Sequence, residues 1–138
     1  VSEPAPPVVF YTEDNQILVQ LVTDVLELLG CRVAHYPGGV LAFAALKSVK
    51  ERRAHYDLLL LDNDTPQMSG LEVVRLARQM PYWKKTPIIL VSIEDCRKAA
   101  LEAGADELLR KPNNLITLVD VVRRLLSKAE RGKAKGKS

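Results

Sequence analysis

Five side chains of the 138-residue chain stand where short apolar runs give way to polar sequence. Glu13 and Asp14 follow Val8–Tyr11, Asp62 follows four consecutive leucines, Ser92 closes PIILVS, and Lys111 precedes Pro112 after ELLR. Three carboxylates, a hydroxyl and an ammonium are complementary equipment. Two like charges about 4 Å apart repel by roughly 4 kcal/mol at an effective dielectric near 20, so three carboxylates held together require a cation. Oxygen donors of this hardness suit Mg2+, which keeps several waters and takes one or two carboxylates plus a phosphate oxygen. A carboxylate nucleophile beside that metal, with lysine and hydroxyl facing the transferring oxygens, can carry out phosphoryl transfer. Each residue alone has a plainer reading. Glu13-Asp14 can cap a helix, Ser92 can satisfy backbone groups at a helix start, and Lys-Pro can be a solvated turn. Asp62 is harder to dismiss, because a charge beside so apolar a run needs a partner.

For these residues to meet, the apolar runs must be strands that end on one rim. Val8–Tyr11, Cys31–Tyr36, Leu58–Leu61, Pro87–Ser92 and Glu107–Arg110 are short and bounded by turn signals, as buried strands are. Between and after them, helical spacing recurs. It runs from Ile17 through Leu18, Leu21, Val22, Val25, Leu28 and Leu29 to Gly30. It returns over Val40–Arg53 with Leu41, Ala44, Ala45 and Val49 as the expected inner face, then over Gly70–Met80, Glu94–Ala103 and Asn114–Ser127. Strand and helix alternate five times. The expected fold is therefore α/β, a five-stranded parallel sheet doubly wound with helices on both faces. Ligands of such sheets bind beyond the carboxyl ends of the strands, where the five residues lie.

The chain resembles the response-regulator receiver family across residues 8–127. The matching elements are Glu13-Asp14, LLLLDNDTPQMSG from Leu58 to Gly70, IILVS ending at Ser92, AGAD from Ala103 to Asp106, and Arg110-Lys111-Pro112. Pro66 stands four residues after Asp62 and Gly70 eight after it, which is the family's spacing. The resemblance implies a flavodoxin-like (βα)5 sandwich with strand order 2-1-3-4-5. It implies Asp62 as the phosphoacceptor, charged by a histidine kinase or a histidine phosphotransfer protein. Glu13, Asp14, Asp62 and the backbone carbonyl of Asp64 would bind Mg2+. Ser92 would hydrogen-bond the phosphoryl group, and Lys111, before a cis proline, would pair with one of its oxygens.

Four departures from the family pattern stand out. Thr65 replaces the methionine usual before the loop proline. Asp64 adds a carboxylate that can repel incoming phosphate or alter hydrolysis. Ile93 follows Ser92 where a small residue is common, and Leu108 replaces the aromatic switch residue three places before the lysine. Asp62-Asn63-Asp64-Thr65 is also similar to the D-x-D opening of haloacid dehalogenase-like phosphatases. In this chain, however, the threonine comes one place early with Pro66 in its position, and in place of the acidic pair that family needs on a strand after its lysine stands Asp120, inside a helix. A receiver-like module not switched by phosphate is the third alternative.

Composition sets the remaining expectations. Of the total charge of +3, residues 128–138 carry five cations against Glu130, a net of +4, leaving −1 for residues 1–127. The body is near neutral, so no direct DNA binding is expected. The organisation expected is an extended lead-in at 1–7, a receiver domain at 8–127 and a basic flexible tail or linker at 128–138. Lys50, Arg52 and Arg53 after the second helix read as a solvated face. Cys31 and Cys96 have no metal or disulfide spacing and read as small core residues. No apolar run reaches the ~18 residues of a membrane span, so a cytoplasmic protein is expected. Output would pass through a partner protein or an attached domain, with dimerisation through helix 4, strand 5 and helix 5 possible in this family. Phosphoryl acceptance is then self-catalysed, with slow autodephosphorylation and no enzymatic turnover.

Overall fold

The computed structural model describes residues 5–49, 56–112 and 115–136. Ten elements alternate: β1 (Val8–Thr12), α1 (Gln16–Leu28), β2 (Arg32–Tyr36), α2 (Gly39–Ser48), β3 (Leu58–Asp62), α3 (Gly70–Ala77), β4 (Ile88–Ser92), α4 (Arg97–Ala103), β5 (Glu107–Arg110) and α5 (Leu115–Gly136). A 3-10 turn, Pro81–Trp83, leads into β4. The strands form one parallel sheet in the order β2-β1-β3-β4-β5. The chain therefore leaves β1 first to one side and then crosses to the other, which puts the topological switch between β1 and β3.

The four leucines of β3 explain how both faces are covered. Side chains alternate along a strand, so Leu58 and Leu60 point one way and Leu59 and Leu61 the other. Leu58 and Leu60 pack with Val9, Ile89, Val22 and Leu26 of α1, and Leu118, Val122 and Leu125 of α5. Leu59 and Leu61 pack with Phe10, Ile88 and Leu90 against Ala42 and Leu46 of α2, Val73, Val74 and Ala77 of α3, and Ala100 of α4. All five residues of β3 are buried, Asp62 among them. Leu108 joins the second of these cores at 4% exposure, so this position serves packing. Cys31 is buried and Cys96 lies at the core margin, both as free thiols.

Several sequence expectations need correction. In α1 the buried residues are Val22 and Leu26, whereas Ile17, Leu21 and Leu28 are exposed. In α2 the inner face is Ala42, Leu46 and Val49 with Ala45 half-buried; Leu41 and Ala44 face solvent. α2 carries apolar residues around almost its whole circumference, so periodicity alone selects no unique face there. In α1, by contrast, the polar Gln16, Gln20, Thr23 and Glu27 share one side, away from Val22 and Leu26. Described α2 ends at Ser48, and Lys50, Arg52 and Arg53 lie outside the described residues. α4 starts at Arg97, after a turn closed by Cys96 N–H on the Glu94 carbonyl. The largest difference is at the end. The helix expected to stop at Ser127 continues to Gly136, so 128–136 is helical where a flexible tail was expected. Lys, Ala, Glu and Arg are strong helix formers, and extending an existing helix avoids the cost of nucleation. Of the lead-in, residues 5–7 have no regular structure, but the Pro7 carbonyl accepts from Arg32 N–H at 2.8 Å.

Candidate functional site

The carboxyl ends of β1, β3, β4 and β5 deliver the site. Thr12, the last residue of β1, is buried and its Oγ1 accepts the Asp62 N–H at 2.8 Å, tying the two strand ends together. Asp62 is 2% exposed. Its Oδ1 accepts from Lys111 Nζ at 2.7 Å and from Asp64 N–H at 2.9 Å. Its Oδ2 is buried and accepts no hydrogen bond from any described residue. One oxygen is thus fixed and the other is bare, which for a buried carboxylate is costly unless a cation or reacting group completes it.

Glu13 and Asp14 come next to Asp62 because β1 and β3 are neighbours. One carboxylate oxygen from each of Glu13, Asp14 and Asp62 lies within 4.8 Å of the others. Glu13 is 5% exposed, and its Oε2 accepts Asn15 N–H at 3.1 Å. Burial, with the charge of Asp62 adding to it, pushes the Glu13 pKa up against the opposing pull of Asn15 N–H and Lys111. The backbone of Glu13 is anchored on β2, its N–H donating to the Tyr36 carbonyl while its own carbonyl meets His35 Nε2 at 2.7 Å.

Lys111 follows β5, and its peptide bond to Pro112 is cis. Besides Asp62, its Nζ lies 3.7 Å from Glu13 Oε1 and 3.6 Å from Asp64 Oδ2. Burial disfavours the ammonium, but the hydrogen bond to Asp62 and the charges of Asp62, Glu13 and Asp64 outweigh it, so the pKa is raised. Three carboxylates therefore share one ammonium, and Asp14 is clustered with two of them. Two of them 4.8 Å apart repel by about 3 kcal/mol at an effective dielectric near 20. The donor set is all hard oxygen, and one buried oxygen is unpartnered. These residues fit a divalent cation of the Mg2+ type.

Ser92 is fully buried at the end of β4, and it reaches the site through Asn63. Its Oγ accepts from Asn63 Nδ2 at 3.3 Å and from Glu94 N–H at 3.2 Å, while Asn63 Oδ1 accepts Leu71 N–H at 2.8 Å. Gly70 opens α3 directly beneath: a Cβ there would lie 2.5 Å from the Asp62 carbonyl oxygen, so only glycine allows this approach. Thr65 is committed to the loop, its Oγ1 donating to the Met68 carbonyl at 2.8 Å. A cavity of about 400 Å3 opens at the cluster, lined by Thr12, Glu13, Asp62, Ile93 and Lys111 with apolar walls from Leu18 and Leu118.

Glu13, Asp14, Asp62 and Lys111 are thus brought together as the sequence suggested, with Asp64 beside them through its N–H and carboxylate. Thr12, Asn63 and Arg110 also build the site, and Ile93, marked in the sequence by its bulk after Ser92, takes part through its backbone. Ile93 N–H donates to Asp64 Oδ2 at 3.0 Å, and Arg110 grips the Ile93 carbonyl through Nε at 3.0 Å and Nη2 at 2.8 Å. Of Thr12, Asn63 and Arg110, only Asn63, next to the acid, gave a local hint.

The fold and this rim of acids define a class. Residues 9–123 match the response regulator receiver domain family. The chain is 36% identical over 125 residues to the transcriptional regulatory protein PrrA of Mycobacterium tuberculosis, covering 88% of this chain and 50% of that one. Among solved structures, the signal receiver domain of a signal transduction histidine kinase from Syntrophus aciditrophicus superposes with a TM-score of 0.79 at 29% identity, covering 91% of this chain and 93% of that one. The receiver domain of the sensor histidine kinase PA1611 from Pseudomonas aeruginosa, solved with a magnesium ion coordinated in its active-site cleft, gives 0.76 at 25%, covering 89% and 99%. The chain belongs to the response regulator receiver domain family and is a receiver domain of two-component signalling. It spans about half or less of the length of the curated relatives it matches. Among the described residues no helix is long and apolar enough to cross a membrane.

Proposed function

We propose that this receiver takes a phosphoryl group on Asp62 Oδ2 from a phosphohistidine of a histidine kinase or histidine phosphotransfer protein. The observation that carries the reading is the asymmetry of the Asp62 carboxylate, with Oδ1 held by Lys111 and Asp64 N–H and Oδ2 buried without a hydrogen-bond partner among the described residues. In the transfer, the Oδ2–P bond forms as the donor's P–N bond breaks. The bonding pair returns to the imidazole nitrogen, which takes up a proton from solvent. Glu13, Asp14, Asp62 and the backbone carbonyl of Asp64 are the residues that would hold Mg2+, which when bound supplies positive charge to the transferring oxygens. Lys111 supplies the second positive charge, and Ser92, whose Oγ accepts from Asn63 Nδ2 and Glu94 N–H, is the hydroxyl residue that would turn to the phosphoryl group. Residues 8–127 form the receiver unit, which works in the cytoplasm and passes its state to a partner protein or an attached domain. It is a stoichiometric acceptor, not an enzyme with turnover.

Incubation with acetyl phosphate and Mg2+ tests this. There the Oδ2–P bond forms as the P–O bond to acetate breaks and acetate leaves with the pair. Intact mass should rise by one phosphoryl group, and Asp62→Asn should remain unlabelled; labelling that persists in that variant would sink the assignment. The phosphatase alternative finds little support, since Thr65 is bound into the loop and Asp120 lies in α5. Continuous release from p-nitrophenyl phosphate would reverse that judgement.

A further inference from the structure

The lysine that holds Asp62 also faces a second carboxylate, that of Asp64. Asp64 Oδ2 accepts the Ile93 N–H at 3.0 Å and forms an ion pair with Lys111 Nζ at 3.6 Å. That lysine is the one bound to Asp62 Oδ1 at 2.7 Å, so any anion attached to Asp62 comes within its reach. We propose that the Asp64 carboxylate is an internal competitor for the phosphoryl group, occupying Lys111 and the Ile93 N–H until phosphorylation displaces it. The inference rests on the reading of Asp62 as acceptor.

Chemistry and local structure both favour competition. A carboxylate and a phosphoryl group present the same acceptor oxygens to the same donors, and charge-assisted hydrogen bonds of this kind are among the stronger ones. An ionised Asp64 also repels an arriving phosphate, so both contact and charge oppose transfer. The side chain is 27% exposed, which leaves it room to swing outward. The Ser92–Ile93 peptide that carries the N–H is tied on its own account, its Ser92 carbonyl accepting Lys111 N–H at 2.9 Å. Arg110 holds the next carbonyl, that of Ile93, through two nitrogens. The peptide N–H therefore stays aimed at the site when Asp64 departs. The loop after β4 is a prepared anion seat with its own occupant.

The test compares the full chain with Asp64→Ala, Asp64→Asn and Asp62→Asn at saturating Mg2+. Labelling by acetyl phosphate is followed by intact mass, and the Ile93 amide by NMR in metal-free protein. Asp64→Ala should label about tenfold faster, the factor that loss of one charge-assisted contact implies. Asp64→Asn should fall between Ala and wild type, because its amide oxygen still accepts from Ile93 but carries no charge. The Ile93 amide should shift upfield and exchange faster in Asp64→Ala. An Ala variant that labels no faster than wild type, or an unmoved Ile93 amide, overturns the competitor role while leaving Asp62 as acceptor. Labelling of Asp62→Asn overturns the acceptor reading and the competitor role with it.

Discussion

Lys111 Nζ and Asp62 Oδ1 lie 2.7 Å apart, with the lysine side chain 19% and the aspartate side chain 2% exposed. The lysine is the ammonium about which the acids of the site are arranged. Its replacement by methionine keeps the bulk and removes the charge, leaving Asp62 and Glu13 buried against each other. Lys111→Met should lower metal-free stability by about 2–3 kcal/mol at neutral pH, read as a fall in the urea midpoint. Phosphoryl labelling should fall as well.

Mg2+ should stabilise the folded chain by mass action. At a concentration about 100 times its dissociation constant the gain is about 2.7 kcal/mol, visible as a rise in the thermal midpoint. Asp14→Asn removes one of the three clustered carboxylates and should require at least about tenfold more Mg2+ for the same shift. An unchanged titration would show that Asp14 is no ligand.

Gly70→Ala places a methyl group 2.5 Å from the Asp62 carbonyl oxygen and 2.8 Å from Leu90 Cδ1. Backbone cannot yield as a side-chain tip can. The variant should lose about 1–3 kcal/mol in urea denaturation and label more slowly, since the displaced strand end carries the acceptor.

Arg78 secures the far side of the fold. Its guanidinium donates to the carbonyls of Gly104, Trp83 and Thr86 and pairs with Asp106 at 3.1 Å. Arg78→Leu should cost about 3 kcal/mol by leaving those acceptors without a donor, and labelling at Asp62 should be unaffected at temperatures where the variant is folded.

Burial, reinforced by the nearby charge of Asp57, raises the Cys31 pKa above the ordinary thiol value of 9.0. The folded state therefore retains the thiol proton more strongly than the unfolded chain. The stability this contributes is complete below pH 9 and is lost as pH climbs through the higher folded value. A thiol reagent should modify Cys96 quickly and Cys31 only on opening of the fold, giving two phases whose slower one accelerates with urea.

Strand positions and the acids at their ends were legible because each apolar run stops at a change of chemistry, as LLLL does at Asp62. The pairing β1–β3 then follows from the family's order, and it brings Glu13, Asp14 and Asp62 together. The inner face of α2 was not legible. Leu41 is as apolar as Leu46, and only the packed structure says which is covered. Nor were Thr12, Asn63 and Arg110, whose work lies in hydrogen bonds to residues 50, 29 and 17 positions away. Apart from the place of Asn63 beside the acid, no local pattern marks such partners. The extension of α5 was missed for a different reason, since Lys- and Ala-rich sequence suits a linker and a helix equally.

The single tryptophan gives the fold an optical handle of a particular kind. Trp83 is 0% exposed, donates its indole N–H to the Leu46 carbonyl at 3.2 Å and stacks on Tyr56 at 5.7 Å. It belongs to the core covered by α2, α3 and α4 and is not among the residues lining the acidic cavity. Its emission should be blue-shifted in the native state and redden only when that core opens. Fluorescence thus becomes a clean gauge of global unfolding, largely blind to events at the acidic rim.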